Sequence, residues 1–447
     1  MRTEIPAPSP PAQAWGEGEA QDYLIPGLDI LGFELLLNLF DRNFSSDDDY
    51  GSDLSSIESN LQSGWVIDED PFATNQFLHP YQGSIYHGFA RSAGHGYWTA
   101  LGYDFAGSAV WEIAGETVPP SLNDQITTTF GGSFLGEALF RMSSYLLERG
   151  GERPSAWRST GAAMISPALG FNRLAYGERF DGVFASHDPA TYTRVGIGAR
   201  RSESLSNDAA GPSDAAELDF VMHYGLPGEP AYDYTRPFDY FHFEATLVSD
   251  ADALPEDVMV RGLLLGSKYS VGQEYRGVWG LYGGFDYISP ELFSVSSTSV
   301  SLGTTGQWWA TDGLALQGTL LAGLGWTASG AIADAQEDRN YHYGFSPQGL
   351  GALRVLWSDI AVLDMTGRNY FIGVLDSSNS GDTESVLRGK LALTVRVWGL
   401  HALGIQYVAS TRDAEFADIP DAHQSLGALS VFYTILSDTH FGAVNWH

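Results

Sequence analysis

The sequence predicts an antiparallel transmembrane β-barrel of about 14 strands, within a range of about 12–16, with a helical segment packed in or against its lumen. Three observations predict it. From about residue 190 onward, apolar and polar residues alternate with a period of two, a strand signal. Aromatic residues gather toward the ends of these segments (Trp279 and Tyr287, Trp308 and Trp309, Trp326, Trp357, Tyr370 and Phe371, Trp398, Tyr407), as an interfacial girdle requires. Short turns alternate with long acidic loops, such as 202–216 with Asp208 and Asp214, and 331–340 with Asp334, Glu337 and Asp338.

Residues 1–26 are rich in Pro and Ala and read as a flexible N-terminal segment. No apolar core with a cleavage site follows Met1-Arg2-Thr3, so no signal peptide is visible. The chain is then either cytosolic or a mature chain with a replacement methionine, and the barrel reading favours the second. Residues 27–447 form the barrel, interrupted by an insert at 72–150. Leu28 to Phe40, broken by Asp29 and Glu34, is strand-like in length, and too short for a spanning helix. A second early strand is expected within 54–68, where Leu61, Trp65, Val66 and Ile67 follow a Ser/Asp-rich loop.

The later strands show the pattern plainly. Phe241, Phe243, Ala245 and Leu247 share one face while His242, Glu244 and Thr246 share the other. Leu387, Leu391, Leu393, Val395 and Val397 oppose Arg388, Lys390, Thr394 and Arg396. A soluble sandwich would turn the polar face to water; a membrane barrel turns it to the lumen. Segments near the 9–11 residues that cross a bilayer at a tilt favour the barrel.

The insert does not alternate. Residues 96–116 read as a helix with small residues Gly102, Ala106, Gly107 and Ala109, stopped by Pro119 and Pro120. A second helix, 131–148, carries Gly132-xxx-Gly136, with Glu137 and Arg141 four apart on one face. A shorter one spans Tyr81 to Ser92. The polar groups of the insert match the charged inward faces of the strands, which makes the lumen its natural place.

Several stretches of the insert are diagnostic as an ordered set. They are Asn75-Gln76-Phe77-Leu78-His79-Pro80-Tyr81-Gln82-Gly83-Ser84, Ala90-Arg91-Ser92, Gly107-Ser108, Trp111-Glu112, Pro120-Ser121-Leu122-Asn123-Asp124, and Gly131-Gly132 with Leu135-Gly136-Glu137. Through them, residues 65–150 resemble domain of unknown function 3943, a family of bacterial outer-membrane proteins. The resemblance implies an outer-membrane location and no particular activity.

Composition bounds the partners. Fifty-five acidic against 23 basic residues give a net charge of −32, which excludes a basic nucleic-acid interface. Acidic outer loops suit outer-membrane lipids and lipopolysaccharide, with divalent cations shared between them. With no cysteine, disulfides, thiolate metal sites and cysteine nucleophiles are excluded. No cofactor is expected.

Catalysis would rest on His79, Ser84, Glu112 and Asp124, with His79, Ser84 and Asp124 as a hydrolase triad, although no G-x-S-x-G elbow surrounds any serine. The bland alternative makes Ser84 a helix cap and His79 a buried hydrogen-bonding side chain. A metal set would gather His79, His87, His95, Glu112, Glu116, Asp124 and Glu137, but without a ligand-spaced motif. The favoured alternative pairs the buried carboxylates Glu112, Glu116 and Glu137 with Arg91 and Arg141. Asp47-Asp48-Asp49 with Asp53 is acidic enough for Ca²⁺, yet Ser52 stands where an EF-hand loop needs glycine. Arg354, Arg368, Arg388, Lys390, Arg396 and Arg412 are expected inside the barrel, paired with the insert's carboxylates. The leading functional expectation is a non-porin barrel, plugged by helices, that binds or passes a small or lipidic ligand or scaffolds the envelope. A lipid-modifying enzyme and a gated channel are the alternatives.

Overall fold

The computed structural model describes residues 15–16 and 21–446, apart from 45–47, 69, 152–153, 207–210, 250–254, 291, 332–340, 376–381 and 417–420. Asp47, Asp208, Asp334, Glu337, Asp338 and most of segment 1–26 therefore lie outside the described residues.

Helices come first: α1 (Ile25–Phe44), α2 (Leu54–Gln62), α3 (His79–Ser92), α4 (Tyr97–Val110), α5 (Leu122–Ile126), α6 (Gly132–Glu148), α7 (Ala156–Ile165) and α8 (Pro167–Tyr176). Twelve strands follow among the described residues. They are β1 (Thr191–Ser204), β2 (Ser213–Tyr224), β3 (Phe241–Val248), β4 (Asp257–Val271), β5 (Tyr275–Ile288) and β6 (Phe293–Thr311), then β7 (Leu314–Ala331), β8 (Tyr341–Trp357), β9 (Ala361–Val374), β10 (Thr383–Trp398), β11 (His401–Glu415) and β12 (Ala422–Leu436). Each pairs antiparallel with its sequence neighbours, and β1 pairs with β12 to close the barrel. Closure leaves no strand edge unpaired, which the bilayer interior demands.

The barrel thus has 12 strands, not about 14, because the two early strands are helices. Ile30, Glu34 and Asn38 repeat every four residues and are buried together, whereas Leu31, Leu35 and Leu39 are exposed. That is a helical period hidden in a nearly continuous apolar run. In the second, Asp53 caps α2 by accepting from the backbone amides of Ser55 and Ser56 at 2.8 and 2.9 Å. The helices consequently precede the whole barrel instead of interrupting it.

Side-chain parity separates the two faces of the wall. Arg368 in β9 pairs with Asp286 in β5, Arg388 in β10 with Asp257 in β4, and Lys390 in β10 with Glu244 in β3. None of these strands are neighbours, so their side chains meet only through the lumen. These three inward cations are therefore satisfied by the wall, not by the helices. Arg354 holds Asp364 at 2.7 Å, Arg412 holds Glu384, and Arg396 holds Asp359 at a turn. The C-terminal stretch enters one end of the lumen, where Arg354, Gln317 and Gln307 donate to the carbonyls of Phe441, Gly442 and Val444 at 3.0, 2.8 and 2.7 Å.

The helices touch the opposite parity. On β5, Phe285 and Tyr287 flank the inward Asp286 and therefore point outward; they pack with Phe134, Leu135, Ala138 and Met142 of α6. A Cβ on Gly131 would meet Thr298 of β6 at 2.8 Å, and one on Gly283 would meet the Phe134 ring at 2.4 Å. Met222, Tyr224, Phe241, Phe243, Val258 and Val260 complete the same apolar cluster. The helical unit is thus seated on the outer wall across β2 to β8, and the expected lumenal plug is not formed. A lumen crossed by its own ion pairs has no room for it. Away from the helices, Leu302, Leu320, Leu391, Leu403, Val431 and Ile435 keep an exposed apolar outer face, the architecture of an outer-membrane barrel.

Candidate functional site

The helical unit is built with its charges inside. Glu137 in α6 is completely buried and lies between two arginines. Arg91 Nε donates to its Oε2 at 2.6 Å, and Arg141 Nε to its Oε1 at 2.7 Å. His87 Nε2 lies 3.1 Å from Oε2, while His87 Nδ1 meets Asp104 of α4 at 2.7 Å. Arg141 also reaches Asp239 at 3.0 Å in the loop between β2 and β3, tying the helices to the barrel. Phe184 is faced by Arg91, Arg141 and Arg236 at 5.0, 4.8 and 4.4 Å from its centroid, so cation–π contact adds to the pairing.

Close helix approach makes this possible. Gly83 of α3 and Gly132 of α6 meet backbone to backbone, and a Cβ on Gly83 would lie 2.0 Å from the Thr128 carbonyl oxygen. π-helical turns at Thr74–Leu78, Trp111–Gly115 and Thr127–Gly131 adjoin α3, α4 and α6. Such turns recur at functional sites.

A second polar group docks the unit on the wall. Asn75 donates to the hydroxyl of Tyr341 at 2.9 Å, while Gln76 and Asn123 donate to that of Tyr343 at 2.7 and 3.0 Å. Asn75 also donates to Asp68 at 2.6 Å, and Asn123 to Asp124 at 3.1 Å. Glu112 accepts from the backbone amide of Ser121 at 2.7 Å, and Glu116 from the Trp111 indole at 2.8 Å.

Residues 64–168 match Domain of unknown function (DUF3943). The match covers α3 to α7, as the resemblance over 65–150 implied, and gives no activity. It contains both polar groups except Arg236, Asp239 and the two tyrosines, so the diagnostic Asn75, Gln76 and Asn123 grip the barrel together with Arg141. No curated protein matches the chain. Among solved structures, a NanC porin is 10% identical with a TM-score of 0.28, over 53% of this chain and 98% of that one. The outer membrane channel DcaP of Acinetobacter baumannii is 10% identical with a TM-score of 0.24, over 55% and 96%. A TodX monoaromatic hydrocarbon channel is 10% identical with a TM-score of 0.22, over 64% and 94%. At these scores the likenesses add nothing to the barrel architecture that strand pairing already shows. The closed apolar-walled barrel itself places the chain in the bacterial outer membrane.

Burial alone would push the Glu137 carboxyl up, but Arg91, His87 and Arg141 outweigh it and hold it far below the usual range. Burial raises Asp104 to about 6, with His87 opposing. His87 itself is raised, since Asp104 and Glu137 overcome the effect of burial. In the other group no cation among the described residues balances the acids. Burial and then the charge of Glu116 push Glu112 well up, and burial followed by Asp68 does the same to Asp124. Glu116 is pushed up to about 8 by burial, against the Trp111 hydrogen bond.

The positions singled out from sequence fall into place unevenly. Arg91, Glu137 and Arg141 are brought together; Glu112, Glu116 and Asp124 are not joined to either arginine. Arg388 and Arg396 belong to the barrel. His79 is buried with its Nδ1 unpartnered among the described residues. Ser84 is no helix cap, because α3 already begins at His79, and its hydroxyl donates to the Tyr81 carbonyl at 2.6 Å. No His79–Ser84–Asp124 triad is assembled. Among the described residues, no three His, Asp or Glu side chains gather with metal-holding geometry. Asp104 and the two tyrosines carried no motif. The signal for Asp104 was its place with Ser108, four residues on, as a polar stripe in an apolar helix.

A pH dependence follows from Glu116. Its ordinary value is 4.5 and its folded value about 8, so the folded state holds a proton that the unfolded chain releases. The contribution of this group to stability is fully present below pH 4.5 and is lost as pH rises toward 8, by an amount on the order of a few kcal/mol. Glu116→Gln is expected to flatten the decline in unfolding temperature over this window. An unchanged slope would show that Glu116 is not the group responsible.

Proposed function

We propose that this outer-membrane barrel binds or passes a small or lipidic ligand, with the DUF3943 segment as its working part and the barrel as the anchor. One observation carries the reading: the helical unit is apolar outside and charged inside. Leu28, Leu31, Leu35, Leu39 and Phe40 of α1 are exposed while Asp29, Glu34 and Asn38 are buried; in α4, Trp98 and Phe105 are exposed and Asp104 is buried. Water favours the reverse arrangement. This apolar surface continues the outer face of the barrel, so the unit sits in the bilayer beside the strands, where lipids and lipopolysaccharide are its neighbours. No helix of the described residues is long and apolar enough to cross a membrane by itself. The wall contacts and the amide–tyrosine clamp hold it there. Ionisable groups kept in such a setting mark functional sites.

The absence of cysteine makes the test direct. Leu35→Cys carrying a nitroxide, in protein reconstituted into phospholipid vesicles, is expected to be relaxed by oxygen and shielded from a water-soluble nickel chelate. Strong relaxation by the chelate would place α1 in water and overturn the reading. The same preparation is expected to retain lipid in a native mass spectrum, and lipid-free protein would remove support for a lipidic ligand.

A second reading, passage of a small polar molecule through the lumen, is favoured by its charged lining. Planar-bilayer conductance separates the two. The ion pairs and the C-terminal stretch predict conductance at baseline, whereas a steady open current would favour the channel.

A further inference from the structure

Among the described residues, one basic side chain of the lumen, Arg261, has no partner. Arg194, Arg354, Arg368, Arg388, Lys390 and Arg412 each hold a carboxylate. Arg261, on the inward face of β4, has no ion pair or hydrogen bond among the described residues, and its Nε is sealed from solvent without a partner. Only 7% of the residue is exposed. The carboxylates around it are already engaged: Asp286 accepts from Arg368 and from the Tyr370 hydroxyl, and Glu244 from Lys390. Its neighbour across the β3–β4 ladder is His242, which faces His223 with the two Nδ1 atoms 3.4 Å apart, and neither supplies an anion.

Beside Arg261 lies a small cavity of about 30 Å³, lined also by Arg368, Tyr370, Ser299, Ser301 and Gln348. It exists because the inward positions on β5 and β6 are small: Gly284, Ser299 and Ser301 replace the large side chains that fill the lumen elsewhere. An unpaired buried guanidinium is costly, whereas a guanidinium with a bidentate oxyanion is among the strongest polar pairs in proteins. The volume is that of about two waters or one compact ion, and nothing larger fits.

We propose that Arg261, with Arg368 beside it, forms a binding site in the lumen for a small oxyanion, a carboxylate or a phosphate. Arg261 supplies the two-pronged charge contact. Ser299, Ser301 and Gln348 supply hydrogen bonds to the remaining oxygens of the ligand. The site shares no residue with the helical unit, so it stands or falls separately from the bilayer placement of α1.

Thermal unfolding of the full chain in mild detergent tests it, with sodium formate and sodium phosphate as probes and sodium chloride at matched ionic strength as control. One of the two anions is expected to raise the unfolding temperature of the unsubstituted protein, and the more effective one identifies the ligand class. Arg261→Gln is expected to weaken that anion at least about tenfold. Without anion it should unfold no lower than the parent, because it removes an unpaired charge. Arg261→Lys, which keeps the charge but loses the fork, is expected to retain part of the response. An equal response in Arg261→Gln, no response to either anion, or a marked loss of stability in anion-free Arg261→Gln would each overturn the proposal.

Discussion

Glu137→Gln is expected to lower stability by about 3–5 kcal/mol, the cost of removing one partner from a buried ion pair. The substitution leaves shape almost unchanged but strands Arg91 and Arg141, both completely enclosed. It also removes one of the two negative charges, with that of Asp104, that raise His87. Loss of heat resistance in detergent, followed through aromatic circular dichroism, would measure it. The helical unit should loosen first, because Arg141 links Glu137 to Asp239 and thus to the barrel. Combining Glu137→Gln with Arg91→Gln should cost less than the sum of the single changes, since the pair then leaves fewer unbalanced charges. Additive losses would show that the two residues do not act as a unit.

Gly83→Ala should be comparably severe, at about 3 kcal/mol or more. A new Cβ ordinarily meets flexible side chains, and overpacking then costs about 1–3 kcal/mol. Here it meets the backbone of the facing stretch, with the Thr128 carbonyl oxygen at 2.0 Å and the Gly132 Cα at 3.1 Å. Neither atom withdraws without moving α6 relative to α3. That shift would spread to Gly136, where a Cβ would lie 2.7 Å from the Cβ of His87, and so to the Glu137 hub. Gly102→Ala is the control, because its Cβ would meet nothing within 4 Å. Equal unfolding temperatures for the Gly83→Ala and Gly102→Ala proteins would refute the close crossing.

Much of the barrel was legible because strand alternation is a local property. In β10, Leu387, Leu391, Leu393, Val395 and Val397 on one side against Arg388 and Lys390 on the other already state which face is outward. The Gly132-xxx-Gly136 spacing likewise marked the surface that α3 approaches. The partners of charged residues were less legible. Arg368 and Asp286 are 82 positions apart, Arg388 and Asp257 131, and only barrel closure brings each pair together. The tyrosines that dock the helices were hidden as ordinary outward aromatics of β8.

The sequence by itself determined the two classes of segment, the alternating wall and the small-residue helical unit, because period and residue size are written in consecutive positions. Tertiary structure decided that 12 strands close the barrel, that Leu28 to Phe40 is helical, and that the helices lie on the outer wall. The physical reason is common to all three. An apolar face records only that water must be kept from it; whether lipid, another helix or a barrel wall does so depends on neighbours that folding supplies.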